Sequence, residues 1–208
     1  MCKKVLVLGN ERAYVVMYQL RGYTIVDSIE DADIIQFTGG EDVSPVLYGE
    51  ESHPTTWASY PRDQYEMDIY TKCLDLGKGM VGICRGGQFL NVMSGGRLMQ
   101  DVDNHALWEG HFAIDMLKGG KVDVTSTHHQ MMRAGDKGVV ILACPTRCTR
   151  KLHMVLGEEI DVIDSERMDT EAVWYEDTKC LCFQPHPEMR DAPHSCVNKF
   201  FEFVERYF

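Results

Sequence analysis

The chain has 208 residues, 44% of them apolar and 25% charged, which is typical of a globular protein with a substantial core. Its formal net charge of −11 argues against general binding to nucleic acids or to anionic membranes. No apolar run reaches the length of a membrane span, and the patch after Lys3-Lys4 is too short for a signal peptide. We therefore expect a single cytoplasmic domain over residues 1–208.

The first half of the chain alternates predicted strands with predicted helices. Short runs rich in β-branched residues and leucine indicate buried strands at residues 5–8, 23–26, 33–37 and 80–83. Helices are predicted over residues 11–20, with Asn10 as the N-cap, and over residues 63–76 and 85–94. The second of these helices is expected to bury one face made of Tyr65, Ile69, Cys73 and Leu76. Between the strand at residues 33–37 and the helix at residues 63–76, a long loop is predicted over residues 38–60. Long loops in compact domains are usually functional.

The second half is predicted to be rich in strands. Apolar runs indicate strands at residues 112–116, 122–125, 139–143, 152–156 and 160–163, and a hairpin formed by residues 171–175 and 180–183. A last helix over residues 193–207 would present Cys196, Phe200, Phe203 and Tyr207 on one face. The order of elements predicts an α/β fold, with a mostly parallel central sheet that is extended by antiparallel strands.

The turn around Cys84 is the most informative part of the sequence. An apolar run ends in Gly82-Ile83-Cys84-Arg85-Gly86, and a helical pattern follows at once. A sharp strand-to-helix turn requires glycines around its reactive residue, because backbone segments approach closely there. The N-terminus of the next helix would direct free N–H groups at the sulfur and favour a thiolate. The pattern predicts a cysteine nucleophile, the alternative being a buried, inert thiol.

A second polar motif, Gln184-Pro185-His186-Pro187-Glu188, follows the apolar run at residues 180–183. In an extended segment, residues i and i+2 project to the same side, so Glu188 can accept a hydrogen bond from the imidazole of His186. Such a carboxylate fixes the tautomer of the ring and stabilises the imidazolium. We therefore predict a catalytic set in which Cys84 is the nucleophile, His186 the base and Glu188 the orienting acid.

The remaining cysteines and several histidines are predicted to be structural. The eight cysteines are expected to be reduced thiols, and the spacings Cys144-x3-Cys148 and Cys180-x-Cys182 are not those of zinc ligands. We accordingly expect no metal and no cofactor. Four histidines are interpreted as ordinary surface or core residues: His105, His111, His153 and His194.

Both motifs resemble those of a known superfamily. Gly82–Gln88 is similar to the nucleophile motif of class I glutamine amidotransferase-like domains, and Gln184–Glu188 to their Gln-x-His-Pro-Glu motif. The chain is most similar to the γ-glutamyl-γ-aminobutyrate hydrolase branch, a group of peptidase-like γ-glutamyl hydrolases. This finer similarity is carried by segments 39–50, 62–66, 91–101 and 126–130. The resemblance implies a flavodoxin-like three-layer sandwich with Cys84 at the carboxyl end of a central strand.

The expected reaction is acyl transfer from a small-molecule γ-glutamyl amide. The backbone N–H groups of Arg85, directly after the nucleophile, and of Gly40 are predicted to form the oxyanion hole, the Arg85 side chain mattering less than its amide. The resemblance assigns contact with the γ-glutamyl group to Gln88. It also suggests that Ser126, His128 and His129 hold the amino or carboxylate group of the substrate. On the residues alone, Gln88 could face solvent, and the pair His128-His129 could equally be exposed or bind a metal.

Three functions remain open at this stage. The first is a stand-alone γ-glutamyl amide hydrolase, and the second is a glutaminase module that supplies ammonia to a separate synthetase or transferase. Gly86-Gly87-Gln88 and Thr38-Gly39-Gly40 differ from the Gly-His-Gln and Pro-Gly-Gly that are typical of synthesis-coupled members, which favours the hydrolase. The third is a catalytically idle binding or regulatory protein, since motif residues alone do not prove turnover.

Overall fold

The structure is a computed structural model that describes residues 3–163 and 168–208. The strands are β1 (Lys4–Val7), β2 (Thr24–Ile25), β3 (Ile34–Phe37), β4 (Gly79–Ile83), β5 (Arg97–Met99), β6 (Asp101–Val102), β7 (Ala106–Asp115), β8 (Lys121–Thr127), β9 (Met131–Arg133), β10 (Val139–Pro145), β11 (Lys151–Val155), β12 (Glu158–Asp161), β13 (Met168–Tyr175) and β14 (Cys180–Phe183). The α-helices are α1 (Arg12–Leu20), α2 (Tyr60–Asp75), α3 (Arg85–Met93) and α4 (His194–Tyr207). Short 3-10 turns cover Leu8–Asn10 and Pro45–Tyr48.

Within the described residues, nine strands form one mixed sheet. Five neighbouring strands run parallel, in the order β2-β1-β3-β4-β14. Four antiparallel strands continue the sheet in the order β13-β10-β7-β8. Two small sheets, β12-β11-β6 and β5-β9, accompany it. The predicted α/β fold with a parallel core and an antiparallel extension is confirmed.

Helices cover both faces of the parallel strands. Successive side chains of a strand point to opposite faces, so Ile34 and Ile35 enter different apolar clusters. Ile34 shares a cluster with residues of α1 and α4, whereas Ile35 shares one with residues of α2 and α3. This gives the three layers of the expected sandwich. In the described ranges, no helix has both the length and the apolar character needed to cross a bilayer.

The register of β14 beside β4 positions the two polar motifs. The strands are parallel neighbours, with Phe183 opposite Ile83. The segments after them therefore leave the sheet at the same edge, where open α/β sheets place their sites. Cys180 and Cys182 share one face of β14 and are fully buried in an apolar cluster, as the alternation predicts.

Two details of the helix predictions are wrong. Asn10 does not cap α1, because it lies in a 3-10 turn with a φ of 51°, and Glu11 occupies the N-cap position. The buried face of α2 is also different, since Tyr65 is 58% exposed and Leu76 is 47% exposed. The polar residues Asp63 and Glu66 lie on the inner face instead, where they form ion pairs with Arg85.

Three short strands were not predicted from the sequence. They are β5, β6 and β9, each two or three residues long; β5 pairs with β9, and β6 pairs with β11. A run of two or three residues is too short for a periodicity of two to be recognised. The predicted hairpin is confirmed as the antiparallel pair of β13 and β14.

Candidate active site

Cys84 lies at the turn between β4 and α3. Its backbone has φ 51° and ψ −115°, a conformation that is strained for a residue other than glycine. Two hydrogen bonds hold it there: the Cys84 N–H donates to the Phe183 carbonyl at 2.8 Å, and the Gln88 N–H donates to the Cys84 carbonyl at 2.9 Å. The side chain is half-buried at the start of α3. The predicted sharp strand-to-helix turn around Cys84, the elbow, is confirmed.

The glycines around Cys84 are required by packing. A Cβ added to Gly82 would lie 2.3 Å from the carbonyl carbon of Gly86. A Cβ added to Gly86 would lie 2.3 Å from the carbonyl oxygen of Phe37, at the end of β3. Neither glycine has a positive φ, so the constraint comes from the close approach of backbone to backbone.

His186 and Glu188 follow β14, next to the elbow. The Nδ1–H of His186 donates to Oε1 of Glu188 at 2.6 Å, which leaves Nε2 for the Cys84 sulfur. The backbone N–H of His186 donates to Oγ1 of Thr125 on β8 at 2.6 Å. The geometry therefore brings together the three residues that the two sequence motifs single out.

The electrostatics of this set favour a protonated imidazole. Burial alone would lower the pKa of His186, but hydrogen bonds to Cys84 and to Glu188 raise it to about 10. A histidine with this pKa carries a proton at neutral pH and can donate it. This property suits a step in which an amine leaves.

The loop after β3 packs against the same set. An added Cβ on Gly39 would lie 3.3 Å from Cε1 of His186 and 3.8 Å from Cβ of Cys84. The Gly39 N–H donates to the Tyr14 hydroxyl at 2.9 Å, so this amide already has a partner. Gly40 adopts a φ of 141°, which favours glycine. Of the two glycine amides, that of Gly40 fits the predicted oxyanion role better.

The side chain of Arg85 belongs to a buried ion-pair network that the sequence patterns do not indicate. It is 1% exposed and forms ion pairs with Asp63 and Glu66 of α2, both of which are buried. Arg62 binds Glu66 at 3.0 Å and donates to the carbonyl oxygens of Thr38 and Gly39. Burial and the charge of Arg62 lower the pKa of Arg85 to about 10, against the opposing effect of Asp63.

This charged network links three elements around Cys84: the elbow helix α3, helix α2 and the loop after β3. It also explains the polar inner face of α2. The sequence signal was present, because Arg62, Asp63 and Glu66 lie within one helical turn of each other. Their partner could not be identified from the sequence, since Arg85 was considered only for its amide.

Three of the four predicted substrate-binding residues lie inside the protein. Gln88 is 3% exposed, and its Nε2 donates to the Gln130 carbonyl and to Oε1 of Gln184. Ser126 is 2% exposed and donates to the His105 carbonyl at 2.6 Å. The solvent-facing alternative for Gln88 is therefore wrong. Contact between these side chains and a substrate stays a prediction.

The histidine pair is split between two environments. His128 is buried, and its Nδ1 lies 2.7 Å from the Gln130 carbonyl oxygen. Burial, and to a smaller extent the charge of nearby His105, hold the pKa of His128 well below its usual range. The His129 side chain is 41% exposed, with Nε2 3.2 Å from Oδ1 of Asp42. This hydrogen bond raises the pKa of His129 above its usual value. The alternative of an exposed pair therefore holds only for His129.

An open cleft of about 1270 Å³ reaches the proposed base His186, whereas Cys84 does not line it. Its walls include Tyr14, Gly39, Gly40, His186 and Glu188. Gln88, Ser126 and His128 do not contribute to these walls. The cleft therefore approaches the reacting groups from the side of α1 and the glycine loop.

The histidines interpreted as ordinary residues differ in their surroundings. His194 is exposed, whereas His153 is buried with Nδ1 3.5 Å from Oε1 of Glu50. His105 and His111 are buried beside two carboxylates, and three overlapping groups of His, Cys, Asp and Glu atoms in this region have the proximity that metal ligands need. We return to this cluster below.

The fold and the turn place the chain among α/β proteins that have a cysteine at the carboxyl end of a central parallel strand. Residues 10–148 match the family described as Peptidase C26, and the chain belongs to that family. The matched region includes Cys84 and ends before His186.

Curated relatives are similar in sequence, and solved structures share the fold. The chain is 31% identical over 165 residues to the "Putative glutamine amidotransferase-like protein YvdE" of Lactococcus lactis, a match that covers 64% of this chain and 70% of the relative. It is 27% identical to "Protein NtpR" of Enterococcus hirae, covering 86% of this chain and 77% of the relative. A glutamine amidotransferase structure from Thermotoga maritima aligns over all of this chain and 83% of its own, with a TM-score of 0.62 and 15% identity. The structure of PurLQS from the same organism aligns over the whole of both chains with a TM-score of 0.64 and 18% identity.

Proposed function

We propose that the chain is a cysteine hydrolase that cleaves the γ-glutamyl amide bond of glutamine or of a γ-glutamyl amine. The observation that carries this proposal is the hydrogen bond of 2.6 Å between His186 and Glu188, directly beside the elbow that presents Cys84. Membership of the Peptidase C26 family and the amidotransferase names of its relatives support the same type of bond cleavage.

In the first step, the Cys84 sulfur attacks the side-chain carbonyl carbon of the γ-glutamyl amide. A carbon–sulfur bond forms, and the amide C–N bond breaks as protonated His186 gives its proton to the departing amine or ammonia. The product is a γ-glutamyl thioester. In the second step, His186 accepts a proton from water, which attacks the thioester, releases the sulfur and leaves glutamate. Glu188 keeps the imidazole oriented throughout.

The negative oxygen of the tetrahedral intermediate needs hydrogen-bond donors. The Arg85 N–H, first in α3, has no partner within its own helix, as is general for the first turn. Together with the Gly40 N–H it forms the proposed oxyanion hole. Arg62 donates hydrogen bonds to the carbonyl oxygens of Thr38 and Gly39 and so holds the loop after β3 in place. These contacts orient the Gly40 N–H and leave it available to the substrate oxygen.

The substrate class within the family is the finer part of the proposal. The motifs of the sequence favour the γ-glutamyl-γ-aminobutyrate hydrolase branch, and the open cleft beside His186 leaves room for an amine larger than ammonia. We propose that the γ-glutamyl group lies toward Gln88, Ser126, His128 and His129, and the departing amine in the cleft. The alternative is a glutaminase module whose ammonia goes to a separate synthetase.

The direct test compares the Cys84→Ala variant with the wild-type chain on glutamine and on a panel of γ-glutamyl amines. We expect turnover to fall by about 1,000-fold or more, because no thioester forms without the sulfur. Cys73→Ala is the matched control, since it removes a fully buried thiol on α2 away from the site. Full hydrolysis by Cys84→Ala would exclude the proposed mechanism.

The same panel separates the two functions. A hydrolase turns over bulky γ-glutamyl amines at a rate that does not depend on any added protein. An ammonia-supplying module prefers glutamine and accelerates when its synthetase is added, so this result would favour the alternative while preserving the role of Cys84.

A further inference from the structure

Three buried histidines and two buried carboxylates form a cluster behind the proposed active site. His105 directly precedes β7, His128 directly follows β8, and Glu171 lies on β13. The backbone N–H of His128 donates to the His105 carbonyl at 3.1 Å, so these two histidines are fixed beside each other. Exposure is 0% for His105, 4% for His128 and 0% for Glu171. The proposed acyl-transfer steps use neither His105 nor Glu171, and His128 enters the proposed function only through the position of the γ-glutamyl group.

Hydrogen bonds determine which ring nitrogen of each histidine carries a proton. Nε2 of His105 lies 2.8 Å from Oδ2 of Asp169, and Nδ1 of His128 lies 2.7 Å from the Gln130 carbonyl oxygen. Carboxylate and carbonyl oxygens only accept, so both of these nitrogens carry the hydrogen. In neutral rings, Nδ1 of His105 and Nε2 of His128 are then lone-pair acceptors.

Both acceptors face the carboxylate of Glu171, whose Oε1 lies 3.6 Å from Nδ1 of His105 and 2.7 Å from Nε2 of His111. Nε2 of His128 lies 4.0 Å from Oε2 of Glu171, and the ligand atoms of the three residues all lie within 4.8 Å of one another. Within residues 3–163 and 168–208, no hydrogen-bond partner is present for Nδ1 of His105, Nε2 of His128 or Oε2 of Glu171. Buried acceptors that face each other are costly unless a proton donor or a cation lies between them.

We propose that His105, His128 and Glu171 bind one divalent transition-metal ion, with zinc the best match to their chemistry. Two imidazoles and one carboxylate form a common zinc ligand set, and they leave a fourth coordination position. Metal-binding histidines usually donate their second N–H to a carboxylate or a backbone carbonyl, which is what Asp169 and Gln130 provide here. The cysteine spacings predict no metal, whereas the proposed ligands His105, His128 and Glu171 are far apart in sequence.

The metal would join three chain segments next to the proposed active site. Thr125, three residues before His128, accepts the backbone hydrogen bond of His186 at 2.6 Å. A metal that ties the end of β8 to β13 would fix this contact. The proposed role is therefore positional, and metal binding is independent of whether the chain hydrolyses γ-glutamyl amides.

The test uses the full chain carrying Cys84→Ala, so that the Cys84–His186 pair cannot bind zinc. After chelation and dialysis, zinc is titrated and bound metal is measured by mass spectrometry, while thermal unfolding is followed in parallel. We expect about one zinc ion per chain and a higher unfolding midpoint. Glu171→Gln and His128→Gln should each weaken binding by more than about 100-fold, a larger effect than the loss of a residue that only hydrogen-bonds to a metal ligand. His153→Gln, which alters another buried histidine, should bind zinc normally.

Two results would overturn the proposal: the absence of stoichiometric binding of zinc or of cobalt, or binding that the Glu171 and His128 variants leave unchanged. If those variants do not fold, crystals of the Cys84→Ala protein soaked with zinc give the answer. An anomalous scattering peak between His105, His128 and Glu171 supports the site. A peak elsewhere, or none, rejects it.

Discussion

Arg85 and Asp63 form an ion pair in which the arginine side chain is 1% exposed and the aspartate side chain is fully buried. Glu66 supplies a second carboxylate to the same guanidinium, and Arg62 balances part of its charge. Removing one member of a buried ion pair is costly, because an uncompensated charge then remains away from water. Replacing any one of the buried charged residues of this network should therefore lower the stability of the fold around Cys84.

Asp63→Asn should destabilise the protein by about 3–5 kcal/mol, the usual cost of breaking a buried ion pair. Urea denaturation of the variant and of the wild type measures this difference. The matched control is Asp177→Asn, which removes a partner of Lys137 from an exposed pair and should change stability far less. Equal effects of the two changes would contradict the importance assigned to the buried network.

Gly86→Ala should prevent the elbow from closing, because its Cβ would lie 2.3 Å from the carbonyl oxygen of Phe37. We expect a loss of more than about 3 kcal/mol in the free energy of unfolding, or a failure to fold, since backbone must move to admit the methyl group. Gly22→Ala is the control: Gly22 has a φ of +81° but no atom within 4 Å of an added Cβ. It should cost only about 1 kcal/mol. A Gly86→Ala protein as stable as the wild type would show that the packing at the elbow is looser than described.

Tyr14→Phe should reduce kcat on a γ-glutamyl amide by about tenfold, a smaller effect than loss of a direct oxyanion donor. The reason is that Gly39 loses the acceptor that holds its N–H, so the adjacent Gly40 amide is less well oriented. The control is Tyr18→Phe, which removes a buried hydrogen bond to Gln36 of 2.8 Å and lies away from Cys84. This second change should lower stability by about 1 kcal/mol without a similar loss of kcat. The reverse pattern would exclude the role given to Tyr14.

The pKa of His186, raised to about 10, makes stability depend on pH in a defined direction. An unfolded histidine has a pKa of about 6.5, so between these values the folded state binds more protons. The stabilisation is complete below pH 6.5 and is lost as the pH rises toward 10, with a slope of at most about 1.4 kcal/mol per pH unit. Denaturation of the wild type and of His186→Gln from pH 6 to pH 10 measures this contribution as the difference between their slopes. His194→Gln, at an exposed histidine, should retain the wild-type slope. Parallel profiles for wild type and His186→Gln would contradict the raised pKa.

Local sequence patterns were sufficient for the elbow and for the polar motif after β14. Cys84 is marked by flanking glycines at fixed distances, and His186 and Glu188 are two residues apart, so each feature lies within one short window. The strand order could not be obtained in this way. Placing β14 between β4 and β13 depends on contacts between distant segments, and only the overall alternation of elements pointed to an α/β sheet.

The buried charges were missed for the same physical reason. Arg85 and Asp63 look like ordinary surface residues when each is read alone, and only tertiary structure shows that they neutralise each other. His105, His128 and Glu171 come from three segments that the antiparallel part of the sheet brings together. No spacing rule covers ligands that are 23 and 43 residues apart in the chain.

The distribution of thiols has a practical consequence. Of the cysteines in the described residues, Cys84 alone is half-buried, and the other six are buried. With Cys2 replaced by serine, a maleimide dye should label the native chain at one position and so count its functional molecules directly. The six interior thiols would react only when the sheet opens. The rate of the slow phase of labelling would then report the rate of unfolding, in the same experiment and without an engineered reporter.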